Sequence, residues 1–389
     1  MYRFILATFI ITPILFEPLI QDMQIFFTGI VALLAVVISQ SFFASGLLFF
    51  AKNNKLSNRL LAALILAIAF WLMDHFIRIA GIYDQRPDLY FMPIFYSFGF
   101  GPLLYFYVRS LVNQNFKFKR IHLLHFIPVA LQFALYLTLA FCPFVFKEWY
   151  WENVHRPYTY RIEFDGTWAS LGIYLIMSVR LLRRYQQWVQ NNFSELSKIR
   201  LNWLITILIV SMILCFQWFI EILLRDLKGL YFDYDYSVEI LGITALVLGV
   251  AGIRQSNLSG VTYEVTDKQM AEDAKALFEP DPEILNRIRE AMEKQQLYLN
   301  PGLTLVDLAQ AIKLNPKVVS RHINTGYQKS FNDYVNAYRV EEVKRKLTPA
   351  NLEKTTIISI AMDAGFNSKT TFNRIFKEFT GMAPSEFIR

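Results

Sequence analysis

Seven apolar stretches recur between Ile25 and Ile253 of this 389-residue chain. Most approach the ~20 residues that an α-helix needs to cross a hydrocarbon core of ~30 Å, which points to a polytopic helical bundle. The expected spans are Ile25–Phe50, Leu60–Ile82, Phe91–Val112, Ile121–Phe141, Trp168–Tyr185, Leu201–Leu224 and Val238–Ile253. Composition agrees: 54% hydrophobic and 18% charged is too apolar for a soluble two-domain protein, and 35 Phe with 20 Tyr suit a chain that meets lipid. Ahead of the spans, residues 1–24 carry Arg3 and an apolar run broken by Pro13 and Pro18. A signal peptide, an eighth span and an overextended start with Met23 as the true beginning all fit that segment.

Loop charge orients the bundle. Lys52, Lys55 and Arg59 lie between the first two spans, Lys117, Lys119 and Arg120 between the third and fourth, and Arg183, Arg184, Lys198 and Arg200 around the turn between the fifth and sixth. The alternate loops are mixed or acidic, with Asp84 and Asp88, then Glu148 and Glu152, then Asp226, Asp233 and Asp235. The positive-inside bias puts the basic loops in the cytoplasm, so Ile25 lies outside and everything after Arg254 inside. The net charge of +7 favours anionic partners, either lipid head groups or nucleic acid. Cys142 and Cys215 lie far apart in apolar runs and indicate neither a disulfide framework nor a metal site.

Polar residues within the spans are the candidates for sensing. Asp74, His75 and Arg78 fall in the outer part of the second span, and Gln217 and Glu221 in the outer half of the sixth. Ionisable groups inside a membrane usually face a bundle interior or a water-filled cavity, so an outward-facing pocket for a small ligand is one reading. The plainer one is that Asp74–Arg78 and Glu221–Arg225 are i,i+4 pairs that satisfy each other near the interface. The aromatic loop between Phe144 and Trp168 fits an interfacial belt better than a ligand platform. No phosphate-binding glycine loop, zinc-type Cys/His spacing or nucleophile–base–acid set is present, so neither catalysis nor a cofactor is expected.

Composition changes after Ile253. Residues 254–282 read as a cytoplasmic linker with a short helix at Asp267–Phe278, and 283–389 as a soluble, wholly helical domain. Thr304 with Asp307, and Ser330 with Asp333, are capping signals, and Asn315–Pro316 is an N-cap with proline at the first helical position. Near the end, Ile357, Ile360 and Ala361 form an apolar stripe; Gly365 and then Asn367–Ser368 precede a second helical run. That run has an apolar face of Phe372, Ile375, Phe376 and Phe379, opposite Lys369, Thr370, Asn373, Arg374 and Lys377. A helix-turn-helix fits this pattern, as does an ordinary helical hairpin with a solvated basic face. The expected architecture is one helix-turn-helix at 304–325, a linker helix at 331–347 and a second helix-turn-helix at 356–379. Aligned by core positions, Val319 and Ile323 match Phe372 and Phe376.

The stretches LTLVDLAQAIKLNPKVVSRHI, FNDYVNAYRVEEVKRKL and IAMDAGFNSKTTFNRIFKEFTGMAPSEF together resemble the DNA-binding domain of the AraC/XylS family. The resemblance covers nearly all of Tyr298–Arg389 and implies a bacterial transcription regulator whose two recognition helices contact promoter DNA. Matching positions gives Lys317, Ser320 and Arg321 in the first recognition helix and Lys369, Thr370, Asn373 and Arg374 in the second. Arginine suits guanine and asparagine suits adenine. Lys313 departs from the family by standing where glycine is usual, so the first turn either bears left-handed strain or differs in shape. The multispan half also departs from the soluble sensor domains of familiar members, and no ligand class carries over.

The chain is thus expected to be a multi-pass protein of the bacterial cytoplasmic membrane. It would couple a signal or small ligand to promoter binding, pair as a homodimer, and engage RNA polymerase if it activates. The alternative is a transporter or receptor whose helical tail docks a protein partner.

Overall fold

The computed structural model describes residues 25–113, 115–196, 199, 201–229, 237–254 and 278–388. The N-terminal segment 1–24 and most of the linker, including the expected helix Asp267–Phe278 but for its last residue, lie outside them. Every regular element among the described residues is helical, and Phe193 and Thr304 form an isolated antiparallel bridge. The chain divides into two compact units, one from residues 1–181 and 202–257, the other from 182–201 and 258–389.

The first unit contains α1 (Gly29–Phe50), α2 (Lys55–Ile79), α3 (Phe100–Val112), α4 (Ile127–Ala140), the start of α5 (Tyr160–Asn192), α6 (Asn202–Lys228) and α7 (Ser237–Arg254). Helix α2 is central and packs on α1, α3 and α7, burying Leu61, Ile65, Ala69 and Leu72. Gly252 lets α7 approach, because a Cβ there would strike the Leu61 side chain.

Four helical segments, Gly29–Phe50, Lys55–Ile79, Arg120–Ala140 and Asn202–Lys228, are long and apolar enough to cross a bilayer. The other three expected spans are less regular. Phe91 is left-handed (φ 60°), and a tight turn at Ser97–Gly99 leaves only 13 helical residues in α3. At 1.5 Å per residue these rise ~20 Å, short of a hydrocarbon core. Helix α5 has length to spare at 33 residues but carries Arg161, Glu163 and Asp165 near its start and Arg180, Arg183 and Arg184 further on. Helix α7 has 18 residues, with Ile240–Ile253 its apolar part.

The second unit contains α8 (Pro282–Glu293), α9 (Leu305–Ala311), α10 (Pro316–Gly326), α11 (Phe331–Lys346), α12 (Ile357–Asp363) and α13 (Lys369–Thr380). The helix starts follow the capping chemistry. Thr304 accepts from the Asp307 N–H while Asp307 accepts from the Thr304 N–H at 2.9 Å, and Asn315, Ser330, Thr356 and Ser368 each cap their helix with a side-chain oxygen. Gly326 is the last residue of α10, and a Cβ there would press on Leu285 of α8. Two cores fill the unit. Ile288, Met292, Leu308, Val319 and Ile323 gather around Phe331 and Val335 in one, and Ile360, Ala361, Phe366, Phe372 and Phe376 around Val340 and Val343 in the other. Helix α11 is therefore shared, its first half in one core and its second half in the other.

Candidate nucleic-acid interface

The second motif is α12, a turn and α13. Gly365 has φ 94°, and a Cβ there would collide with the Tyr298 carbonyl oxygen, so glycine serves both backbone and space. Helix α13 turns Phe372, Ile375 and Phe376 inward, while Lys369, Thr370, Asn373, Arg374 and Lys377 are exposed. Phe379, expected on the apolar face, is 37% exposed, because the core closes one turn earlier. The Arg374 guanidinium lies 3.0 Å from the Glu378 carboxylate, an exposed i,i+4 pair that phosphate or a base edge competes with easily.

The first motif closes its turn in the same way without glycine. Lys313 has φ 55°, and its N–H donates to Gln310 O at 3.1 Å while the Leu314 N–H donates to Ala309 O at 2.9 Å. In the second motif Gly365 N–H donates to Met362 O and Phe366 N–H to Ala361 O at 3.0 and 3.1 Å. Of the two alternatives for Lys313, the residue bears the strain and the turn keeps its shape. On α10, Lys317 is exposed and Ser320 and Arg321 are half-buried. The Arg321 guanidinium sits 4.0 Å from the centroid of the Phe278 ring, which meets the buried His322 ring edge-on. Nothing in the spacing marks Phe278, which reaches α10 from the linker side.

The basic end of α11 is internally paired. Lys344 meets Glu341 at 2.7 Å, and Arg345 and Lys346 meet Glu342 at 2.7 and 3.0 Å. The Arg345 hydrogen bond, aided by Lys346, holds the Glu342 carboxyl below the usual glutamate range. Arg339, earlier on α11, is 1% exposed, and burial pulls its pKa down to about 10, partly offset by Glu195.

The five candidate sensing residues fall in two groups. On α2, the Asp74 carboxylate accepts from Tyr83 OH and lies 3.5 Å from Arg78. On α6, Gln217 Nε2 donates to Glu221 at 3.1 Å. Arg225, the partner expected for Glu221, goes elsewhere: it binds Asp165 at 3.0 Å and Asp226 at 2.9 Å. Trp71 of α2 and Trp218 of α6 meet with ring centroids 5.4 Å apart. An apolar cavity of about 30 Å³ lies between Leu64, Phe100, Leu171, Leu214, Trp218 and Leu248, and none of the five lines it.

Residues 308–389 match the family model described as a helix-turn-helix domain. An uncharacterized HTH-type transcriptional regulator of Staphylococcus aureus strain COL is 26% identical over 141 residues, 35% of this chain and 18% of that protein. The melibiose operon regulatory protein of Escherichia coli K12 is 29% identical over 86 residues, 22% of this chain and 28% of that protein. The matches thus span well under a third of either relative. No solved structure matches the chain. The C-terminal part of the chain is a helix-turn-helix domain.

Proposed function

We propose that the chain is a membrane-embedded, sequence-specific DNA-binding transcription regulator of the AraC/XylS type. A seven-span half senses a signal and passes it to the two helix-turn-helix motifs. The observation that carries the reading is the pair of motifs joined by α11, with exposed Lys317, Lys369, Thr370, Asn373 and Arg374 on their second helices. It is supported by the helix-turn-helix match over 308–389 and by four segments of membrane-crossing length in the same chain. A regulator of this kind performs no catalysis.

Double-stranded promoter DNA is the principal partner, read at Lys317, Ser320 and Arg321 by α10 and at Lys369, Thr370, Asn373 and Arg374 by α13. Two recognition helices spaced by one turn of DNA enter successive major grooves ~34 Å apart. The membrane half belongs in a bacterial cytoplasmic membrane, with Asp74, His75, Arg78, Gln217 and Glu221 as the group that meets a small ligand on the outer side. Tethering two tails to one bilayer favours a homodimer, and an activator of this type also meets RNA polymerase.

The test is genome-wide mapping of DNA bound by the intact protein, with Arg321→Ala and Arg374→Ala alongside. A lost bidentate guanine contact costs ~1–3 kcal/mol, so each variant is expected to lose about 5- to 150-fold in affinity for the mapped sites. Unchanged occupancy in the double variant overturns the reading.

A further inference from the structure

The segment that leaves α5 is built into the DNA-binding unit. The Ser194 N–H and hydroxyl both donate to Leu303 O, at 3.2 and 2.7 Å, just before the first motif begins at Thr304. Asn332 Nδ2 of α11 donates to Phe193 O and Ser194 O at 3.2 and 2.8 Å, and Asn336 Nδ2 to Asn332 Oδ1 at 3.1 Å. Asn332, Asn336 and Arg339 form a buried polar stripe at i, i+4 and i+7, a stripe that a helix facing only its own domain would fill with apolar residues.

Arg339 is the hub of that stripe. Its guanidinium has five N–H donors. Nε donates to Tyr298 O at 2.8 Å, Nη2 to Asn300 O at 2.7 Å and to Ser194 Oγ at 3.1 Å, and Nη1 to Asn336 Oδ1 at 3.3 Å and Ser194 O at 3.5 Å. A Cβ on Gly365 would also fall 3.0 Å from Arg339 Nε, so the turn of the second motif rests on the same side chain. One buried residue thus touches the chain before the first motif, the helix between the motifs, the turn of the second motif, and residue 194. Ser194 supplies two of its five acceptors.

We infer that residues 193–196 are a docking segment for the DNA-binding unit, and that their seating on Asn332 and Arg339 fixes the spacing of the two recognition helices. The inference rests on the regulator reading and names its regulation: Ser194 lies two residues beyond the end of α5 at Asn192, so displacement of the last turns of that helix unseats Ser194. The seated state is the DNA-competent one, because Lys317, Lys369, Thr370, Asn373 and Arg374 are all exposed in it. Arg339 is a positioning residue that acts through the motifs.

The test uses the full chain in membranes with Cys142→Ala and Cys215→Ala. The Ser194 N–H bond to Leu303 O makes Phe193 and Thr304 a non-hydrogen-bonded pair, whose Cα atoms stand ~4.5 Å apart in such bridges, within disulfide range. Phe193→Cys with Thr304→Cys is expected to cross-link on mild oxidation while sites stay occupied. Ser194→Leu, which leaves Arg339 its Tyr298 and Asn300 partners, is expected to bind the wild type's strongest mapped site about tenfold more weakly. It should also lose sensitivity to spacing. Inserting about five base pairs, half a turn, between half-sites should weaken the wild type at least tenfold and the variant less than about twofold. An absent cross-link overturns the docking, and wild-type spacing sensitivity in Ser194→Leu overturns its control of the motifs. A wild type that occupies no site sinks the regulator reading and this control together, while the cross-link, scored without DNA, still decides the docking.

Discussion

Lys313 and Gly365 stand at equivalent points of two turns with the same hydrogen bonds, at φ 55° and 94°. A side chain in the left-handed region costs ~1–2 kcal/mol, and glycine gives back ~0.5–1 through the freedom it adds to the unfolded chain. Lys313→Gly is therefore expected to stabilise the unit by about 0.5–1 kcal/mol, seen as slower hydrogen exchange in α9 and α10 of the full chain. Gly365→Ala meets the same strain and a collision with the Tyr298 carbonyl as well. A loss of about 2 kcal/mol or more is expected, with α13 amides exchanging fastest. Equal protection in the two variants would show that the turns do not carry the strain assigned to them.

Helix α11 holds both cores, and its last turns are tied by Glu342 to Arg345 and Lys346. Because Glu342 is held below its ordinary range, chiefly by Arg345, the folded state binds its proton less readily than the unfolded state. Its stabilisation is complete above the unfolded glutamate value near ~4.3 and is lost as pH falls through the folded value. Glu342→Gln should lower the unfolding temperature of the full chain at neutral pH and match the wild type once both are well below that range. Calorimetry at several pH values checks this; a gap that widens in acid contradicts it. Helix starts at this scale were legible because caps are local: Thr304 with Asp307, Asn315 before Pro316, and Ser368 each announce a helix within four residues. The stripe of Asn332, Asn336 and Arg339 was equally visible yet uninterpretable, since its partner Ser194 lies 138 to 145 residues away. Phe278 over Arg321 was missed for the same reason, and the left-handed break at Phe91 is a backbone event that hydropathy averages over.

For the whole molecule, parity decides whether the reading functions at all. On the proposed reading the positive-inside bias puts Lys52, Lys55 and Arg59 in the cytoplasm, so that the chain enters α1 from outside. If only the four segments of clear membrane-crossing length crossed, the helix-turn-helix domain would emerge on that outer side, away from chromosomal DNA. Lys117, Lys119 and Arg120 would also lie outside, against the same charge bias. The proposed function therefore needs an odd number of crossings from α1 onward, and seven spans supply it by letting α3 with its preceding turn, α5 and α7 cross as well. Short or charged helices can do so when neighbours cover them and the bilayer thins locally. Alkaline phosphatase fused after Arg254 is then expected to be inactive and a fluorescent protein there bright, while phosphatase placed between Asp84 and Asp88 is active. Active phosphatase after Arg254 would put the motifs outside and end the claim that this chain reads promoters from the membrane.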